Sequence, residues 1–194
     1  GLVVFLIARE MFGAAAGLFA LALLVFEPNV LAHGAMVTTD TGAACFLLAT
    51  IYAFYRYAKA PSFWRLLLVG VAAGLMAIAK HSAVLLVPML GLLAITELLR
   101  RRPSEGQAEG RARQTLRFAL AAVVIALVAA AFLWTCYGFR YAARPPGWQL
   151  NPPLEATLGN LAPREAEIVT TLARWRLLPE SYLYGLADVR SVAN

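Results

Sequence analysis

The chain has 194 residues, of which 61% are hydrophobic and only 14% charged, with a formal net charge of +6 and a mean hydropathy of +0.68. A soluble domain is roughly 45–50% apolar and about 25% charged, so the composition excludes an ordinary soluble domain and reads as an integral membrane protein. The basic residues cluster in short segments beside apolar runs rather than interleaving with aromatics on a polar face, which argues against nucleic acid as a partner.

The apolar runs are rich in Leu and Ala and lack strand-like alternation, which predicts an all-α, polytopic transmembrane helix bundle rather than a barrel. They fall at about 1–8, 12–27, 41–55, 66–79, 83–99 and 117–136. That is about five complete helices plus a truncated first one within a core over 1–137. Several are shorter than the roughly 20 residues that span a bilayer, and flanking Lys or Arg can extend them by snorkelling. The chain opens at Gly1 inside an apolar run, with no charged n-region or cleavage site before it. A signal peptide is not expected, and the chain reads as a fragment of a longer polytopic protein.

Taken in order, the connections at 9–10, 56–65 and 100–117 share one side of the membrane. They carry Arg9, Arg56, Lys59, Arg65, Arg100, Arg101, Arg102, Arg111, Arg113 and Arg117, against Lys80 alone in loop 28–40 and the turn at 80–82. The positive-inside rule makes the first side cytoplasmic. Loop 28–40, the turn at 80–82 and everything after 137 then lie outside. Residues 100–116, with RRRPSEGQAEGRAR, are polar and Gly-containing and read as a cytoplasmic linker. The spacings Gly13–Gly17 and Gly70–Gly74 let helix backbones approach closely. Cys45 and Cys136 sit within apolar runs and predict neither a disulfide nor a metal pair.

Residues 138–194 differ in kind: aromatic, proline-rich and irregular at first, then an amphipathic helix near 163–177. Pro163 suits a first helical turn, and Arg174 and Arg176 fall near its end. Ile168, Leu172 and Trp175 share a face that could lie on lipid or cap the bundle.

The polar residues that interrupt the apolar pattern are the candidates for chemistry. Asp40 opens an apolar run at the outer membrane edge; it can coordinate a substrate or polarise a hydroxyl. As Thr38, Thr39 and Asp40 are all good capping types, a helix N-cap is the competing reading. His33 in the same loop is a candidate proton carrier or phosphate contact. Lys80 and His81 break the stretch GLMAIAKHSAVLLVPML, and a cation there can pair with a lipid phosphate or merely snorkel. Arg140 and Arg144, just past the last apolar run, are further candidates for the phosphate. Two histidines and no clustered Cys or His predict no structural zinc. One carboxylate and one histidine define no metal site, and a divalent ion stays open as a cofactor. No Walker, dinucleotide, HExxH or GxSxG pattern is present.

The ordered set REMFGAAAGLFALALLVFEPNVLAHGAMVTTD, followed by GVAAGLMAIAKHSAVLLVP, resembles the membrane core of bacterial protein O-mannosyltransferase-like enzymes. These are lipid-linked-sugar glycosyltransferases of the type-C membrane fold, alongside aminoarabinose transferases. The resemblance covers residues 1–100, and the tail more loosely. It implies a multi-pass enzyme of the bacterial plasma membrane, with an irregular extracytoplasmic C-terminal segment. Such an enzyme moves mannose or a similar hexose or pentose from a polyprenyl-phosphate donor to a protein, lipid or glycan acceptor. It further implies that Asp40 is a supporting carboxylate, with the main base in a loop preceding Gly1. Lys80 then meets the lipid phosphate, with His33, His81 and Arg140 around the substrates. A transporter or flippase of lipid-linked substrates is the alternative, and it calls for polar residues at midplane in broken helices; a non-catalytic scaffold is another. The topology predicts that a single cysteine placed at Ser104 reacts with an impermeant maleimide only from the cytoplasmic side. One placed at Thr39 should react only from outside.

Overall fold

The chain starts as a helical hairpin. α1 (Leu2–Phe12) and α2 (Ala14–Val25) reverse at Gly13, whose φ of 95° is left-handed. Only a residue without Cβ adopts such a turn cheaply. The sequence places Gly13 with Gly17 in a helix-packing spacing; the structure makes Gly13 the turn itself. This computed structural model describes residues 1–193 except 37–38, 101–107, 143, 146 and 149.

Where the sequence predicts a loop over 28–40, an eight-residue helix, α3 (Pro28–Ala35), forms first. The reason is local: the Glu27 carboxylate accepts from the Val30 amide at 2.6 Å and from Asn29 Nδ2 at 2.9 Å. Pro28, with no N–H to satisfy, takes the first helical position. α2 and α3 meet at a 60° bend.

α4 (Asp40–Lys59) and α5 (Phe63–Ala79) then pack as an antiparallel pair. The connection is tight because two side chains satisfy helix-end groups. Ser62 Oγ accepts from the Arg65 amide at 3.3 Å, while Arg65 Nη1 donates to the Arg56 and Ala60 carbonyls at 3.1 and 2.7 Å. The Arg56 carbonyl also takes the Ala60 amide at 3.1 Å, while the Ala60 carbonyl, past the helix end, has no intrahelical donor of its own. After a single 3-10 turn, His81–Leu85, come α6 (Leu86–Arg100) and α7 (Ala108–Cys136). Of the linker expected over 100–116, residues 101–107 lie outside the described residues, and α7 already includes the part from Ala108 onward. No strand occurs among the described residues.

The protein is an all-α membrane protein. Two stretches, His81–Arg100 and Ala112–Cys136, are long and apolar enough to cross a membrane, and the bent α2–α3 pair makes a third if it is one span. α7 shows how the faces are divided. Phe118, Ala121 and Ile125 are buried, while Leu116, Leu120, Val123 and Leu127 are all more than half exposed. An apolar stripe of that extent left uncovered suits hydrocarbon rather than water.

The chain divides into two compact units, Gly1–Ala129 and Ala130–Asn194, the boundary falling within α7. The core of the first unit joins Phe54, Tyr57, Val69, Ala73 and Met76 to the buried face of α7, with the Phe54 and Phe118 rings 6.0 Å apart. A Cβ added to Gly70 would stand 2.6 Å from Val128 Cβ, so α5 and α7 touch there through the missing side chain.

The second unit holds the end of α7 with α8 (Leu154–Leu158), α9 (Pro163–Arg174) and α10 (Glu180–Ala193) around buried Val169, Leu183 and Ala187. On the Ile168–Leu172–Trp175 face of α9, for which lipid and bundle capping were both open readings, Ile168 and Trp175 are exposed, while the neighbouring Val169 is covered. α10 packs along α9 and takes the adjoining stripe.

Gly70→Ala should destabilise the protein by about 1–3 kcal/mol through overpacking, read as a lower unfolding midpoint in detergent. Adding Val128→Ala should recover part of the loss, and no recovery would show that the contact is not the cause.

Candidate functional site

A carboxylate and an ammonium 40 residues apart in sequence meet at one end of the α4–α5 pair. Lys80 Nζ donates to Asp40 Oδ1 in a direct ion pair. The antiparallel packing produces it: Asp40 is the first residue of α4 and Lys80 immediately follows the last residue of α5. Both side chains are about half exposed, at 55% and 45%, so the pair remains open to a ligand.

The local backbone shows where Asp40 stands in the helix start. The residue in the N-cap position is Thr39, whose side chain makes no capping bond; Thr38 lies outside the described residues. Asp40 sits one position inside the helix, where its charge still favours the helix dipole, and its carboxylate is turned to Lys80. The hydrogen bond and charge of Lys80 hold the Asp40 carboxyl below the usual carboxylate range, with a smaller contribution from His33. His33, exposed in the last turn of α3, therefore lies within electrostatic reach of the pair. His81 opens the 3-10 turn directly after Lys80 and is half-buried.

The arginines of the second unit fare differently. Arg144 grips Glu180, with Nη2 to Oε1 at 2.9 Å and Nη1 on the other oxygen, and its Nε donates to the Trp148 carbonyl at 2.7 Å. A guanidinium so engaged holds the proline-rich segment to α10, and the Glu180 amide adds a bond to the Tyr141 carbonyl at 2.9 Å. Arg140 is exposed, in the turn after α7.

A second polar cluster, not foreseen from sequence, lies further along α4. Tyr52 Oη donates to Glu10 Oε2 at 2.5 Å, and Arg56 Nε lies 3.6 Å from the same oxygen. Asp40 and Arg56 are separated by about 24 Å of helix at 1.5 Å per residue. The polar groups thus gather toward opposite ends of α4, with Ala43 and Thr50 buried between them. The signal available was that Glu10 and Arg56 fall in connections assigned to the same side. Among the described residues, no three His, Cys, Asp or Glu side chains gather as a metal site.

Chemically, the Asp40–Lys80 arrangement offers a cation for an anionic ligand and a carboxylate for a hydroxyl, each neutralising the other at rest. Because the folded-state value for Asp40 is depressed, the pairing contributes at neutral pH. It is lost as pH falls through that depressed value. Lys80→Met should move the Asp40 titration upward, toward the ordinary carboxylate range, as followed by carboxyl carbon chemical shifts. An unmoved titration would mean that Lys80 does not set it.

A family model described as dolichyl-phosphate-mannose-protein mannosyltransferase matches residues 1–134. No curated protein and no solved structure matches the chain.

Proposed function

The chain belongs to the dolichyl-phosphate-mannose-protein mannosyltransferase family, and from that premise we propose that it serves a membrane glycosyltransferase working at the outer face of a bacterial plasma membrane. The donor is a polyprenyl-phosphate sugar carrying mannose or a similar hexose or pentose, and the acceptor is a hydroxyl of a protein, lipid or glycan. The observation that carries this reading is the Asp40–Lys80 pair, open at one end of the α4–α5 hairpin.

The reaction is a single displacement. The acceptor oxygen bonds to the anomeric carbon, the bond from that carbon to the phosphate oxygen breaks, and the electron pair leaves with polyprenyl phosphate. A carboxylate takes the acceptor proton. Lys80 neutralises charge growing on the leaving phosphate, and Asp40 acts as the supporting carboxylate that orients the acceptor. His33 and His81 are proposed to contact the substrates, and Arg140 to meet a phosphate group at the membrane surface.

The resting ion pair gives these roles an order. An exposed pair contributes little by itself, so a lipid phosphate entering from the bilayer can draw Lys80 away from Asp40. Donor binding thereby frees the carboxylate for the acceptor.

The bend between α2 and α3 favours a second reading, a flippase for lipid-linked substrates, since broken helices are a transporter feature. Both readings are separated in the full-length protein in proteoliposomes. Asp40→Asn should lower sugar transfer about 100-fold, in the range for a lost acid–base group, without weakening the binding of sugar-free polyprenyl phosphate. Lys80→Met should weaken that binding roughly 10- to 100-fold, as for a lost bond to a charged group. Unchanged transfer by well-expressed Asp40→Asn protein would sink the enzymatic role, and ATP-free lipid scrambling in its place would support the flippase.

A further inference from the structure

α7 and α9 stop in the same way. At the end of α7 the Phe139 amide donates to the Trp134 carbonyl at 2.9 Å and the Gly138 amide to the Thr135 carbonyl at 3.0 Å. At the end of α9 the Leu177 amide donates to the Leu172 carbonyl and the Arg176 amide to the Ala173 carbonyl, each at 3.0 Å. These are paired six-to-one and five-to-two closures around left-handed residues. Gly138 at φ 61° suits the conformation, but Phe139 at 56° and Arg176 at 49° adopt it with full side chains.

The two closures are joined. Trp134, in the last turn of α7, donates its indole Nε1 to the Leu177 carbonyl at 3.0 Å. Residues Ala112–Cys136 of α7 are long and apolar enough to cross a membrane. The corner between α9 and α10 is therefore tied by one side chain to the level at which that span ends. The side chains exposed there share one chemistry. Phe139 and Trp175 are both 70% exposed and Leu177 is 54% exposed. Exposed Arg140, Arg174 and Arg176 are interleaved with them, and Arg176 also stacks over the Tyr141 ring at 5.2 Å. Elsewhere in this unit, Arg144 and Arg190 are engaged by Glu180 and Glu165.

We infer that the double corner formed by residues 137–140 and 174–177 lies in the headgroup layer of the bilayer, with Phe139, Trp175 and Leu177 toward the acyl boundary and the arginines on lipid phosphates. Aromatic rings with one wet edge and arginines with phosphate partners are suited to that depth. The occupant is the lipid surface rather than a protein because the apolar side chains continue from a membrane span and the flanking charges are cationic. α9 is then an anchor that fixes the second unit at the membrane plane.

The test uses the full-length protein with Cys45→Ala and Cys136→Ala, a nitroxide on Trp175→Cys, and proteoliposomes of phosphatidylcholine with phosphatidylglycerol. The label should collide several-fold more often with lipid-dissolved oxygen than with a water-soluble nickel chelate, at a depth within the headgroups. Free access for nickel would overturn the inference in favour of solvent. Protection from both reagents would overturn it in favour of a protein contact. Arg140→Glu with Arg174→Glu, both exposed positions, should raise nickel access at 175 on anionic vesicles but not on phosphatidylcholine alone. An equal rise on both, or none on either, would remove lipid phosphate as the partner.

Discussion

A charge is expensive in hydrocarbon, and the two described ion pairs of the first unit are arranged around that cost. The antiparallel α4–α5 pair provides two ends and a middle. Asp40 and Lys80 meet at one end. Toward the other, Glu10 receives Tyr52 and Arg56, and Arg65 covers the last carbonyls of α4. Between them Thr50 is fully buried and returns its hydroxyl to the Phe46 carbonyl at 2.7 Å. The candidate site is thus a consequence of helix length: α4 at 20 residues and α5 at 17 bring residues 40 and 80 to the same level.

The close fit at Gly70 keeps that level fixed. With Val128 filling the space of a missing side chain, α5 cannot rotate or slide on α7 without a clash, because close-packed interiors resist small displacements. Lys80 inherits this rigidity through the helix that precedes it. A site that exchanges a carboxylate partner for a phosphate needs such a frame, since the lysine has to move while its backbone does not.

Much of this was legible. Runs of Leu and Ala told helix from strand, and the distribution of arginines told one end of each helix from the other. Together they put residues 28–40 and Lys80 at the same end. The short helix α3 was not legible, because its signal is a Glu27–Pro28 start followed by His and Gly, which also describes a turn. Nor was the buried stripe of α9. Ile168 and Val169 are equally apolar, and the neighbour α10, not periodicity, chose between them.

The sequence by itself determined that this is an all-helical membrane protein, since hydrophobic patterning acts residue by residue. It also singled out Asp40 and Lys80 as polar residues at membrane edges. Only the tertiary structure decided that the two touch, that Thr39 rather than Asp40 holds the cap position, and that Arg144 belongs to Glu180. Those outcomes depend on which helix ends come level and which partner lies within reach. Pairing across 40 residues is set by packing, and no local pattern encodes it.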